Sequence, residues 1–184
     1  VRLLRVAWIQ PLKGLEYLLQ AQAMLLDHGY RVRLEIVGRE RTANYQRELE
    51  EQARQLRVRD SVEFSGWIPY DRIHEAYIRS DIQVISSLTE GTPRCIAEGA
   101  ARGLPLVSTK AGGCADVLVH EINALLVEPA EPRAMAEAIE RLIDDGQMRR
   151  EIIGNGYAFA RQATFETLGN RFLDELSEIA RETR

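Results

Sequence analysis

The chain has 184 residues, 45% hydrophobic and 28% charged, with a formal net charge of −4. This is the composition of one globular domain, which excludes a disordered, collagenous or low-complexity chain. The acidic balance excludes the basic stripe of a nucleic-acid-binding protein, and no apolar run is long enough to span a bilayer. A chain of this size buries roughly 70% of its unfolded surface, so its core needs no disulfide or metal.

In chain order, a strand is expected at 3–8, then a helix marked by Leu15, Leu18, Leu19, Leu25 and Leu26. A strand at 33–37 is followed by a helix on Tyr45, Leu49, Ala53 and Leu56. The strand at 62–64 precedes Ile73, Ala76 and Tyr77, a third helical face. A strand at 82–86 runs into a helix opened by Thr92-Pro93, and further strands fall at 104–108 and 124–127. Met135, Ile139, Leu142 and Ile143 repeat at helical spacing. A last helix is expected from Thr164, a good N-cap, through Leu168, Phe172, Leu176 and Ile179.

Most of these strands are near-continuously apolar, as strands covered on both faces should be. Alternating strands and helices imply an α/β, Rossmann-like, doubly wound parallel sheet of about six strands with helices on both faces, a single domain over 1–184. Ligands on such sheets bind beyond the carboxyl ends of the strands. The loops at 10–14, 38–40, 65–69, 87–93, 109–114 and 128–131 are therefore the places to seek function.

The segment from Ser86 to Glu98 is the richest of them. Thr92 is expected to cap a helix with Pro93 at its first position, leaving the amides of Arg94 and Cys95 free for an anion. Gly91 lets backbone approach a ligand, and Arg94 adds charge. Glu90 and Glu98 bracket the turn; carboxylates suit sugar hydroxyls, so a ligand with both phosphate and sugar is implied. Each feature alone is also ordinary punctuation, as are Lys13-Gly14 and Gly112-Gly113. Their recurrence at successive strand ends is the signal. Lys13 and Lys110 are the only lysines among 24 basic residues. Cys95 and Cys114 make no disulfide framework and fit a reducing, cytoplasmic setting. His28, His74 and His120 are scattered, so no zinc site is expected.

The stretches Pro11-Leu12-Lys13-Gly14-Leu15, Phe64-Ser65-Gly66, Glu90-Gly91-Thr92-Pro93 through Glu98, Gly103-Leu104-Pro105-Leu106-Val107, Gly112-Gly113 and Asn123-Ala124-Leu125-Leu126-Val127 resemble the C-terminal, donor-binding domain of the GT-B retaining glycosyltransferases of the group 1, family four kind. The resemblance runs nearly the whole length, to Phe165. It implies that Glu90 meets the transferred sugar's hydroxyls, with Gly91, Thr92 and Arg94 beside it on sugar and diphosphate. Glu98 becomes the partner of the ribose, and Lys13 the catalytic cation on the departing diphosphate. Gly66 and Trp67 fall where the family's backbone approaches the nucleobase, though Trp67 also reads as a hydrophobic lid on the third strand. Gly38 is the weakest match.

The function so implied is transfer of a hexose from a UDP- or GDP-type nucleotide sugar to an acceptor hydroxyl, with no cofactor and no metal, since no DxD pair occurs. The expected partners are the nucleotide sugar and an N-terminal acceptor domain outside this chain, through which the whole protein would sit peripherally at the inner membrane face. The isolated domain is expected to be inactive. Ala7 and Trp8 stand where the resemblance expects a glycine and a phosphate-binding arginine, and Gly99 and Asp116 also depart from it. Strand alternation points Arg5 away from Trp8, which leaves Arg94 as the expected surrogate. The alternative is a degenerate, non-catalytic nucleotide-sugar-binding module; a nucleotide-sugar epimerase would need a histidine in the cleft, and none of His28, His74 and His120 falls at a strand-end loop matching that role.

Overall fold

The computed structural model describes residues 1–164 and Thr167. Six strands, β1 (Arg2–Val6), β2 (Arg33–Val37), β3 (Val62–Gly66), β4 (Ile82–Ile85), β5 (Leu106–Thr109) and β6 (Leu125–Val127), form one sheet. Its order is β3-β2-β1-β4-β5-β6, and every pairing is parallel. This is the doubly wound order whose chain direction reverses between β1 and β4.

Adjacent strand residues serve opposite faces, which sorts the core into two layers. Leu3, Leu34, Ile36, Val84 and Val107 pack with α1 (Leu15–Asp27), α2 (Tyr45–Gln55) and α6 (Pro132–Asp144). Leu4 and Val37 pack with Tyr77 of α3 (His74–Ile78), while Ile85 and Leu106 meet Ile96 of α4 (Cys95–Ala100) and Cys114 of α5 (Gly113–Val117). The sequence pattern places all six strands, with ends shifted by one or two residues; β1 stops at Val6 rather than at Trp8.

Two helices were not anticipated. The short α5 lies inside what reads as a glycine loop. The 17-residue α7 (Gly146–Gln162) is obscured by Gly154, Asn155 and Gly156, which interrupt its apolar spacing. Its signal was Asp145, whose carboxylate accepts from the amides of Gln147 and Met148, both at 2.9 Å. Thr164 Oγ1 accepts from the Thr167 amide at 3.2 Å, as a cap does; the helix expected through Leu168, Phe172, Leu176 and Ile179 lies outside the described residues.

Gly99 is explained by a partner on the sheet. A Cβ there would lie 1.9 Å from Gln83 Oε1, and Gln83 Nε2 donates to the Cys95 carbonyl at 2.8 Å. The glycine in α4 makes room for a buried glutamine that ties the helix to β4.

Candidate donor-binding cleft

Three loops are joined at the carboxyl edge of the sheet. After β1, a single 3-10 turn (Pro11–Lys13) ends at Gly14, whose φ of 57° is left-handed. A Cβ on Gly14 would lie 2.1 Å from the Ser86 carbonyl oxygen, so only glycine allows this approach. Ser86 Oγ donates to the Lys13 carbonyl at 2.8 Å and the Leu88 amide to the Leu12 carbonyl at 2.9 Å. The third loop joins through Thr109 Oγ1, which donates to the Ser87 carbonyl at 2.7 Å, and through the Gly113 amide, 3.3 Å from the Glu90 carbonyl. Gly112 has a φ of 49°, and a Cβ there would strike the same Glu90 carbonyl.

This bracing sets Glu90. Its Oε2 accepts from Lys13 Nζ at 2.7 Å and its Oε1 from Ser87 Oγ at 2.6 Å, with Arg5 Nη2 3.6 Å from Oε1. Burial pushes the carboxyl up, but the hydrogen bonds from Lys13 and Ser87, with the charges of Arg5 and Lys13, more than offset it and hold the group below its ordinary range. Glu90 is therefore an anion at neutral pH.

The site opens as a cleft of about 560 Å³ along the switch point. Lys13, Trp67, Glu90, Thr92, Arg94 and Glu98 line it together, along with Trp8, Arg39, Tyr70 and Cys95. Gly66 and Gly91 flank lining residues without lining the cleft themselves. Gly66 has a left-handed φ of 67° and accepts from the Gly38 amide at 2.8 Å, ending β3 just before Trp67. Gly91 keeps an ordinary φ, with open space around a built Cβ.

The start of α4 corrects the expected cap. The helix begins at Cys95, with Arg94 in the capping position, and Thr92 caps nothing. Pro93 still lies just ahead of it, its carbonyl accepting from the Ile96 amide at 3.1 Å. Thr92 and Arg94 line the cleft in a turn rather than in a capped helix, and their amides have no acceptor among the described residues. Glu98 follows on α4 and is held by Tyr77 Oη, which donates to Oε2 at 2.8 Å. Burial, then Cys95 and Glu98 nearby, push the Tyr77 hydroxyl up, so it remains a donor. Cys95 is pushed up to about 11, chiefly by burial, and stays a thiol at neutral pH.

The opposite wall is aromatic. Trp8 is 49%, Trp67 55% and Tyr70 77% exposed; the Arg39 guanidinium lies 4.2 Å from the Trp67 ring centroid and that of Arg41 5.9 Å from Trp8. Arg39 lies in the loop at 38–40 without being singled out by the sequence, and Tyr70 lies one residue beyond the loop at 65–69. The role of Tyr77 carried no signal beyond core spacing. Strand alternation points Arg5 away from Trp8, and Arg5 lies outside the cleft lining; its long side chain nevertheless reaches Ser87 and Glu90, contacts that alternation does not reveal.

None of His28, His74 and His120 lines the cleft, which leaves the epimerase alternative without its histidine. No group of three or more His, Cys, Asp or Glu side chains among the described residues is placed to hold a metal ion. No helix among them is long and apolar enough to cross a membrane.

A Rossmann-like α/β domain with a cationic and acidic cleft at its switch point defines a broad class of nucleotide-binding proteins. The particular family follows from comparison with known proteins. The pattern described as Glycosyl transferases group 1 matches residues 2–159, and the chain belongs to that family. It is 32% identical over 143 residues to an uncharacterized glycosyltransferase of Methanocaldococcus jannaschii, covering 78% of this chain and 36% of the relative. It is also 32% identical to a D-inositol 3-phosphate glycosyltransferase of Acidothermus cellulolyticus, covering 94% of this chain and 41% of the relative. The chain thus spans well under half the length of these curated relatives. Among solved structures, HepE of Anabaena in complex with UDP-glucose superposes with a TM-score of 0.87 at 27% identity, over 96% of this chain and 48% of that one. The C-terminal domain of a group 1 glycosyl transferase from Francisella tularensis shares the fold, with a TM-score of 0.76 at 24% identity over 88% of this chain and 84% of that one.

Proposed function

We propose that this chain is the donor-binding domain of a retaining glycosyltransferase, moving a hexose from a nucleoside-diphosphate sugar to an acceptor hydroxyl. The observation that carries the reading is the convergence of Lys13, Glu90, Arg94 and Glu98 on one cleft at the sheet's switch point. Glu98, steadied by Tyr77, accepts from the ribose hydroxyls. Lys13 and Arg94, with the free amides of Thr92 and Arg94, take the diphosphate, and Glu90 accepts from the sugar. Lys13 then stabilises negative charge as the diphosphate departs, the part a divalent cation plays in other transferases. Gly66 and Gly91 shape the turns that present Trp67 and Thr92, and Trp67 offers the base a flat face. Acceptor binding and the remaining catalytic groups lie in another domain of a longer protein, so this chain alone binds donor without turnover. In that protein an acceptor domain docked at the inner membrane face would keep the whole enzyme cytoplasmic and peripheral.

A thermal-shift panel of nucleoside diphosphates and their sugars tests this. A true donor at roughly 100 times its Kd stabilises the fold by about 2.7 kcal/mol. A panel without any shift contradicts the reading. One observation favours a non-catalytic module instead: Trp8 lines the cleft where the resemblance expects an arginine. Turnover by the full-length protein decides between the two, and no product from an intact two-domain protein would favour the module.

A further inference from the structure

Arg5 is a buried charge that the proposed chemistry leaves unused. It lies in β1 at 1% exposure and does not line the cleft. Nη2 donates to Ser87 Oγ at 2.6 Å, Nη1 only grazes the Val6 carbonyl at 3.4 Å, and Nε has no partner among the described residues. A guanidinium so sparsely bonded in a core is costly, and an apolar side chain would fill the space at least as well. Its one carboxylate partner among the described residues is Glu90, 3.6 Å away.

Glu90 thus has two cations, and they differ in one respect. Lys13 faces the cleft, so an entering diphosphate competes for it. Arg5 is walled off and cannot leave. Around Glu90 stand Arg5 from β1, Lys13 from the turn after it, Ser87 on its own loop, and the thiols of Cys95 on α4 and Cys114 on α5. Both thiols are pushed up chiefly by burial and are neutral. Arg94 and Glu98 line the same cleft as Glu90.

We propose that Arg5 is a positioning residue that keeps Glu90 ionised and aimed at the sugar once Lys13 has turned to the diphosphate. The inference rests on the donor-site reading above. It makes Arg5 matter to the sugar and not to the nucleotide, through Glu90 alone.

Calorimetric titration of UDP and UDP-glucose, between about pH 5 and 8, tests it on the wild-type chain, Arg5→Met, Arg5→Lys, Glu90→Gln and the Arg5→Met/Glu90→Gln double variant. Arg5→Met is expected to bind UDP within about twofold of wild type and UDP-glucose about tenfold more weakly at neutral pH. That deficit grows as the pH falls, because Glu90 without Arg5 takes up its proton at a higher pH. Arg5→Lys keeps most of the sugar-dependent affinity, and Arg5→Met costs nothing further once Glu90 is Gln. Equal losses for both ligands, a deficit independent of pH, or an undiminished loss in the Glu90→Gln background would overturn the proposal. Should Arg5→Met not fold, Arg5→Gln makes the same neutral comparison. A wild-type chain that binds neither these two nor any other nucleoside diphosphate or its sugar would overturn the donor-site reading itself, an outcome distinct from a silent Arg5.

Discussion

Where the loops after β1, β4 and β5 meet, Lys13, Ser87 and Glu90 are bonded to one another, and glycines bring backbones to within contact. Across the cleft, beyond β2 and β3, Trp67 and Tyr70 stand half or more in solvent, with Arg39 stacked on Trp67 as the main restraint. The first end is preorganised: its charges are fixed before any ligand arrives, which suits a diphosphate and a sugar that must be held in one geometry. The second is adaptable, and suits the nucleobase, whose flat face asks only for a surface. The two ends should therefore fail differently when mutated.

The largest effect is expected at Gly14. An alanine there combines an unfavourable φ with a Cβ 2.1 Å from the Ser86 carbonyl, which should cost about 3 kcal/mol of stability. Chemical denaturation would measure it, alongside loss of diphosphate binding. A Gly14→Ala protein with unchanged stability would mean the braced end is not braced.

Next come Lys13 and Arg94, the proposed phosphate cations. Lys13→Ala and Arg94→Ala should each weaken a nucleoside diphosphate by about 1.5–3 kcal/mol, and the double variant should bind little. The Arg94 side chain has no ion-pair or hydrogen-bond partner among the described residues, and its carbonyl, which accepts from the Glu98 amide, is kept in alanine, so the substitution should leave the melting temperature in place. Trp8→Arg should restore part of what Arg94→Ala loses. Titration at one fixed low salt compares the variants; wild-type affinity in Arg94→Ala would return Arg94 to the role of a solvated turn residue.

At the loose end, Trp67→Ala should cost about 1 kcal/mol of nucleotide affinity through lost stacking. Folding stability should stay within about 0.5 kcal/mol, as at other surface positions. A large stability loss in a melt would show Trp67 to be a lid on β3, which is the other reading its sequence position allows.

The smallest effect concerns acid. Glu90 is held below its ordinary value of 4.5: burial raises it, and Lys13, Ser87 and Arg5 more than offset that. A carboxyl depressed in the folded state stabilises the fold fully above its unfolded value, and that stabilisation is lost as the pH falls through the folded one. Wild type should thus melt above Glu90→Gln at neutral pH, and the gap should close on acidification below about 4.5. A gap that widened in acid would reverse the sign.

The same contrast decides what the sequence could reveal. Most strands were legible because near-continuous apolar runs, such as Ala-Leu-Leu-Val at 124–127, suit strands covered on both faces. Lys13, Glu90 and Glu98 were legible because each occupies a strand-end loop or the helix leading from one. The contacts of Arg5 with Ser87 and Glu90 were not legible, because alternation fixes only where a side chain starts, and a guanidinium reaches several ångströms further. Thr92-Pro93 looked like a helix start, but the turn runs on to Arg94 before α4 begins. The loss of helix propensity at Gly99 was visible and its reason was not, since Gln83 lies on another element. Contacts between loops far apart in sequence, such as Tyr77 with Glu98, leave no periodic trace at all.

The central claim is that Glu90 serves the sugar while Glu98 serves the nucleotide. Calorimetry of UDP and UDP-glucose on Glu90→Gln and Glu98→Gln tests it most directly. Glu98→Gln should weaken both ligands, because the charged acceptor of the ribose hydroxyls, worth roughly 1.5–3 kcal/mol per bond, is lost. Glu90→Gln should leave UDP near wild-type affinity and weaken UDP-glucose alone. Equal loss of both ligands in both variants would contradict that division.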